Sequence, residues 1–413
     1  MHEPMTTSSL LHHRSFVRYW CARTFTNGAF MMQGVAVGWQ IYDLTNDPLD
    51  LGLVGLVQFF PLIVTSILAG QVLDLFDRRK VAAACQIGKA LAALALAVGS
   101  VHGSLSRDAM LAIVFVSGTA RAFEIPTLNT ILPGVVSPAL LPRAIAASTS
   151  ASQTAVICGP SLGGFLYVLG PAVVYATCTA VFIAASVLIS MVAMAPRREQ
   201  KRPVNLETLF AGFAYVRSHP ILLGAVSLDL FAVLLGGVTA LLPIYARDIL
   251  NAGPWALGLL RSAPAVGALA ASAVLAHRAI SGRAGKIMFA AVGAFALASF
   301  LFALSTSITL SFLALAVYGA SDAVSVVIRQ SLIQIRTPYD MLGRVAAVNS
   351  MFTGTSGSLG EFRAGAIAAW LGAVPSALIG GIGALAVMLI WMWAFPQLRN
   401  VDKLSGEGDR RAG

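Results

Sequence analysis

Charge is what this 413-residue sequence has least of. Lys, Arg, Asp and Glu together make up 11% of it, against about one quarter in an ordinary soluble domain. With 57% hydrophobic residues and a mean hydropathy of +0.79, this excludes a water-solvated globular fold and makes the bilayer the solvent. Cysteine is scarce too. Cys21, Cys85, Cys158 and Cys178 fall in or beside apolar stretches, with neither CxxC spacing nor a partner histidine. They imply buried thiols rather than a disulfide framework or a metal site. The six histidines lie mostly at termini and in loops, and His12-His13 reads as a solvated pair. No Gly-x-x-x-x-Gly-Lys-Ser/Thr phosphate loop occurs, so no ATP-driven step and no cofactor are expected. The net charge of +10 is spread through short loops without aromatic interleaving, which argues against nucleic acid as a partner. No His/Asp/Glu cluster or Ser/His pairing marks an intramembrane enzyme.

What is present is a succession of apolar runs of roughly 20 residues, the length that crosses ~30 Å of hydrocarbon as a helix. The ~10-residue alternating segments of a spanning barrel are not seen. Spans are expected at 16–42, 51–73, 81–101, 109–127, 144–169, 172–195, 221–247, 255–276, 287–306, 308–330, 344–371 and 375–395. The fold class is therefore an all-α integral membrane protein of twelve transmembrane helices. The organisation expected is a six-helix half over 1–195, a linker over 196–220, a second half over 221–396 and a disordered tail over 397–413. In the linker, the spacing of Leu206, Leu209, Phe210, Phe213 and Val216 predicts an amphipathic surface helix.

Basic residues divide the loops by side. One set holds Arg78, Arg79, Lys80, Arg143, Arg197, Arg198, Lys201, Arg202, Arg217, Arg278, Arg283, Lys286 and Arg336, while the other holds little beyond Arg107 and Arg247. The positive-inside rule then puts both termini in the cytoplasm, with the chain multi-pass in the cytoplasmic (inner) membrane. The first span carries Arg23, Asn27, Gln33 and Gln40 and lacks a small-residue cleavage site, which argues against a cleavable signal. Thr26, Gln33 and Gln40 recur every seven residues along one helix stripe. Such a stripe faces protein or water, by interhelical hydrogen bonding or by lining a cavity.

The densest charge lies in Gly70-Gln71-Val72-Leu73-Asp74-Leu75-Phe76-Asp77-Arg78-Arg79-Lys80, where five of eleven residues are charged. It must be a tight loop at a membrane surface. Inside the spans, the charges that would be costly in lipid are Arg23, Lys89, Arg121, Glu124, Asp229, Arg261, Asp322, Glu361 and Arg363, with Arg329 beside the tenth span's end. Lys89 and Arg261 sit nearer the expected span ends, where long side chains snorkel to the interface. Arg121 and Glu124, three apart, share a helical face and could neutralise each other. A shift of 201 positions lays Gly118 on Gly319, Arg143 on Arg344, Gly159 on Gly360 and Gly164 on Gly365. That is the pattern of two pseudo-symmetric six-helix bundles, and the same shift lays Arg121 on Asp322.

The charged turn resembles the loop signature of the major facilitator superfamily, G-x-x-x-D-x-x-G-R-R/K. Gly70, Asp74, Arg78 and Arg79 match, whereas Asp77 stands for the usual glycine and Leu75 for the frequent arginine. The resemblance implies a cytoplasmic gate in which the acidic residue meets the N-terminal end of the eleventh helix, near Gly343-Arg344, and the arginine tethers the latch. Gly159-Pro160-Ser161-Leu162-Gly163-Gly164 is similar to the G-P-x-x-G-G core of the exporter motif of that superfamily. Tight packing around small residues explains the same sequence about as well. A third stretch, Asp322 to Gln330, Thr337-Pro338, Gly343 to Asn349 and Leu359-Gly360-Glu361-Phe362, resembles the siderophore-exporter branch. Arg363 follows where that branch has a second acidic residue, which leaves the substrate open.

The resemblance implies a secondary active transporter that exports a small molecule, siderophore-like or amphipathic and drug-like, by proton antiport and alternating access. General multidrug or macrolide export is the alternative, with a non-transporting sensor or scaffold behind it. In the superfamily the fourth and tenth helices line the central cavity. Arg121 is thus the expected contact for an anionic substrate, and Asp322 or Glu124 the protonatable switch. Arg23, Gln33, Asp229, Arg329 and Glu361 complete the substrate and proton candidates. A monomer is expected.

Overall fold

The structure is a computed structural model describing Leu10, 13–137, 139–194, 206–278 and 282–402, without the side chains of 62–74, 206–210, 339 and 340. The described residues are almost entirely helical, with no strand among them. In chain order the first helices are α1 (Arg14–Thr45), α2 (Pro48–Leu75), α3 (Arg78–His102), α4 (Arg107–Ile131), α5 (Leu141–Tyr167) and α6 (Pro171–Ser190). A short α7 (Leu206–Ser218) precedes α8 (Pro220–Gly236), α9 (Pro254–His277), α10 (Ala284–Ala303), α11 (Ile308–Arg336), α12 (Tyr339–Leu371), α13 (Ala373–Ala394) and a final turn, α14 (Pro396–Arg399).

Local chemistry sets the helix ends. Pro171 and Pro220 open α6 and α8 at the position where a missing N–H costs nothing. Gly103, at φ +62°, and Asn46, at φ +51°, end α3 and α1 in the left-handed conformation, each N–H bonding back into the last turn. Asp77 caps α3 by accepting from the Arg79 amide at 2.9 Å. This gives a structural reason for an aspartate where the superfamily loop has glycine.

Among the described residues, eight helices are long and apolar enough to cross a membrane by length and composition: α3, α4, α6, α8 with its continuation to Ile249, α9, α10, α11 and α13. In α1 and α12 polar residues interrupt the apolar surface: Arg23, Thr26, Asn27, Gln33 and Gln40 in α1, and Asn349, Glu361 and Arg363 in α12. The expected seventh span is not one regular helix. It breaks after Gly236, passes through a 3-10 turn at Thr239–Leu241, and ends in a π-helical turn at Tyr245–Ile249. Gly236-Gly237 and Pro243 supply the local reasons.

The chain divides into two compact units. The first comprises Met1–Asn46, Val57–Pro203 and Gly253–Ser262; the second comprises Asp47–Leu56, Val204–Ala252 and Ala263–Gly413. The first turns of α2 thus belong to the second unit, and those of α9 to the first. In the first unit α1 packs on α5 and α6, and α3 packs on α4 and α6. In the second unit α8 packs on α12 and α13, and α10 on α11 and α13. The four pairings are the same when α1 to α6 are matched with α8 to α13.

Close glycine contacts fix the register of that match. A methyl added at Gly118 would lie 2.9 Å from the Gln58 carbonyl oxygen, and one added at Gly319 would collide with the Pro264 carbonyl. Gly164 of α5 meets Pro254 and Gly258, while Gly365 of α12 meets Pro48 and Gly52. The offset is 201 for α4 with α11, which begin at Arg107 and Ile308. It is 206 for α1 with α8, beginning at Arg14 and Pro220, and for α3 with α10, beginning at Arg78 and Ala284.

Two peripheral segments also dock. Val216 of α7 is buried with Leu222, Val226, Ile333, Val345 and Val348, while Phe213 stays exposed and meets Phe352 edge-on. After α13 the chain stays packed as far as Val401. Leu398 and Val401 are buried, and the Val401 and Asp402 carbonyls accept from Gly285 and Ala284 at the open N-terminus of α10. The tail expected to be disordered from 397 is thus ordered in its first residues; 403–413, and 196–205 of the linker, lie outside the described residues.

Gly164→Ala is expected to destabilise by ~1–3 kcal/mol, because backbone rather than a yielding side chain opposes the added methyl. Gly343→Ala, in open space, is expected to be neutral or mildly stabilising. Thermal unfolding of the two purified variants in detergent distinguishes them.

Candidate functional site

Among the described residues, each unit encloses one buried ion pair. In the first, Lys89 of α3 is wholly buried, although its sequence position pointed to an interface. It is the twelfth residue of a 25-residue helix, which places it ~16 Å from the helix start, too deep to snorkel. Its ammonium donates to the Glu124 carboxylate of α4 and to the Thr26 hydroxyl of α1. Thr26 in turn donates to the other Glu124 oxygen at 2.9 Å, and the ammonium stands 4.7 Å from the Phe182 ring centroid of α6. Four helices are tied through one charge.

This arrangement replaces the mutual neutralisation of Arg121 and Glu124 that their spacing allowed. Glu124 turns inward to Lys89, while the Arg121 guanidinium stacks 3.9 Å from the Phe30 ring centroid. Arg23 donates to the Tyr19 hydroxyl at 2.8 Å, and Tyr19 to the Leu128 carbonyl at 3.0 Å. Along the α1 stripe Thr26 joins the ion pair and Gln40 bonds Ser100 and Tyr175. The Oε1 of buried Gln33 has no partner among the described residues, and neither do the two polar atoms of Gln86, one turn from Lys89.

In the second unit, Arg329 of α11 and Asp229 of α8 are buried, and the guanidinium donates to Asp229 Oδ2. Both were sequence candidates, but their partnership links residues one hundred positions apart and had no local signal. Asp322, two turns before Arg329 on α11, makes no hydrogen bond or ion pair among the described residues. It lines a small cavity with Asp229, Val292, Phe295, Ser321 and Ser325. The Ser325 hydroxyl and Arg329 Nε, both buried, also lack partners among the described residues.

Glu361 and Arg363 brace the break that follows α8. Thr239 donates to Glu361 Oε1 at 3.0 Å, and Arg363 Nη2 donates to the Gly237 carbonyl at 3.3 Å. The arginine that departs from the siderophore-exporter pattern thus stands against an interrupted helix.

At the charged turn, Arg79 pairs with Asp77 at 2.8 Å and reaches the Val192 carbonyl beyond α6 at 3.1 Å. The side-chain hydrogen bond from Arg79 holds the Asp77 carboxyl below the usual carboxylate range. Arg78 makes no hydrogen bond or ion pair among the described residues. Gly70 and Asp74 lie in α2, and their side chains are outside the described set. In α5, Gly159 approaches Gly28 and Met31 of α1, and Gly163 approaches Met32, so both serve close helix crossings. Pro160 is buried inside the helix. Among the described residues, no group of three or more His, Cys, Asp or Glu stands close enough to hold a metal ion.

A family model described as transmembrane secretion effector matches residues 5–409. The chain belongs to this family of major facilitator superfamily transporters. Among similar proteins, Enterobactin exporter EntS of Citrobacter koseri is 27% identical over 402 residues, covering 96% of this chain and 95% of that protein. The Escherichia coli (strain K12) Enterobactin exporter EntS is 27% identical over 403 residues, with the same coverage. Among solved structures, a D-xylose-proton symporter aligns with TM-score 0.72 and 13% identity over 96% of this chain and 99% of its own. A bacterial homologue of the iron transporter ferroportin, in an inward-facing state, aligns with TM-score 0.69 and 16% identity over 94% and 98%. These likenesses establish the fold: a multi-pass, twelve-helix transporter.

Breaking the first unit's ion pair from one side strands a buried charge. Lys89→Met and Glu124→Leu alone are each expected to cost ~3–5 kcal/mol, and the double variant to recover most of that. Monodisperse yield and unfolding temperature after detergent extraction measure the recovery.

Proposed function

We propose that this transporter exports a siderophore-like or amphipathic small molecule across the cytoplasmic membrane, coupled to protons moving inward, by alternating access. The observation that carries the coupling assignment is the contrast between the intramembrane carboxylates. Glu124 and Asp229 are locked in ion pairs, whereas Asp322 lines a cavity and makes no hydrogen bond or ion pair among the described residues. A coupling acid has to exchange its proton during the cycle, and a carboxylate locked by a buried cation does so only by breaking that pair. Of the two acids singled out from the sequence, Asp322 is therefore the better candidate.

Arg121 supplies the cationic contact for an anionic cargo, its guanidinium already presented on an aromatic face. Arg23, held on α1 by the Tyr19 hydroxyl, is a second cationic candidate of the first unit. The export direction rests on the similarity to proteins named enterobactin exporters and on the Gly-Pro-x-x-Gly-Gly stretch of α5. The segment from Gly70 to Arg79, the end of α2 and the start of α3, is assigned the cytoplasmic gate, with both termini on that side and the monomer as the working unit.

Asp322→Asn is expected to reduce substrate-driven proton flux in proteoliposomes at least tenfold while substrate exchange without a gradient persists. Wild-type coupled flux in that variant removes Asp322 from the coupling role. A strain lacking the transporter, assayed for secreted siderophore and for drug tolerance, separates siderophore export from general multidrug export.

A further inference from the structure

The cavity beside Asp322 has a counterpart in the first unit, and the counterpart is filled. With the registers fixed by the helix contacts, Asp322 corresponds to Arg121 and Ser325 to Glu124 at the α4–α11 offset of 201. Asp229 corresponds to Arg23, Ala232 to Thr26, Val292 to Gln86 and Phe295 to Lys89 at the offset of 206. The cavity therefore lies where the first unit holds its ammonium between a carboxylate and a hydroxyl.

In the second unit a phenylalanine replaces that lysine. Phe295 stacks on Tyr318 with ring centroids 4.1 Å apart, so no tethered cation enters the space. Negative charge nonetheless remains there. Asp229, Asp322 and Arg329 sum to one unit of negative charge, and the Arg329 guanidinium is committed to Asp229. Ser325, a buried hydroxyl without a partner, lines the same cavity. The space holds about one water-sized guest, too small for any organic cargo. A monovalent ion balances the charge, whereas a divalent ion overshoots it. Carboxylate and hydroxyl oxygens are hard donors, suited to a hard cation rather than to a soft transition metal.

We propose that this cavity is a sodium-class cation site, with Asp322 as its charged ligand and Ser325 as a hydroxyl ligand. The first unit carries its cation covalently as Lys89, and the second takes one from solution. This deepens the coupling reading of Asp322 by giving the same carboxylate a second, competing cation, and it rests on that reading only for its place in the transport cycle.

The test is thermal unfolding and radioactive sodium binding on the purified full-length transporter, with sodium chloride compared against choline chloride at equal ionic strength. Sodium should raise the unfolding temperature saturably, as any ligand selective for the folded state does. Asp322→Asn should weaken its apparent affinity at least tenfold, and Ser325→Ala several-fold. Phe295→Lys should abolish the sodium effect by placing an ammonium where the first unit has one. A wild-type protein indifferent to sodium overturns the proposal, as does an unchanged response in Asp322→Asn. Wild-type indifference with proton coupling intact sinks the cation site and leaves the proposed function standing. Sodium binding lost in Asp322→Asn with coupled transport intact supports the site and removes Asp322 from coupling.

Discussion

Most of the charge inside the spans of this chain is placed by one constraint: a charge inside hydrocarbon is costly unless it meets a partner within the protein or a cavity. Among the described residues, each half meets it with an ion pair between two helices. Lys89 and Glu124, with Thr26 between them, bind α1, α3 and α4; Asp229 and Arg329 bind α8 and α11. Such pairs do not make a bundle more stable than well-packed apolar residues would. They do make wrong registers expensive, since sliding one helix by a turn strands a charge.

The rest of the packing follows the opposite strategy, removing side chains so that backbones touch. Gly118 against Gln58, Gly319 against Pro264, Gly164 against Gly258 and Gly365 against Gly52 are crossings with no room for a methyl group. In lipid, where apolar side chains gain nothing by leaving the surface, close backbone approach supplies the association energy. The two strategies meet in α1 and α12, which are less uniformly apolar than the helices around them. They carry the polar groups that the interior uses, and in α12 Arg363 and Glu361 stand against the place where the helix after Gly236 loses its regularity.

The internal repeat gives this arrangement its functional content. Two halves with the same helix pairings hold opposite charges at matching positions: Arg23 against Asp229 and Arg121 against Asp322. Duplication followed by such divergence lets one half present cations while the other keeps an uncommitted carboxylate. Phe295, which lines the second half's cavity, stands at the position that matches Lys89 in the first.

The amino-acid order alone determined the solvent, the number of spans and the duplicated architecture. Those properties rest on run length and on a repeat that survives as matching glycines, both local in the chain. It also picked out most of the intramembrane charges, since any charge in an apolar run stands out. It did not reveal their partners. Arg121 and Glu124 share a helical face, yet Glu124 turns to Lys89, which had looked like an interfacial lysine until the helix, starting at Arg78, placed it twelve residues in. Nor did periodicity announce the break after Gly236, a locally apolar stretch whose irregular backbone is braced by residues more than a hundred positions away. Only the tertiary structure brought Asp229 to Arg329 and left Asp322 without a hydrogen-bond or ion-pair partner among the described residues, because pairing across helices depends on how they pack and carries no periodic trace in any one of them.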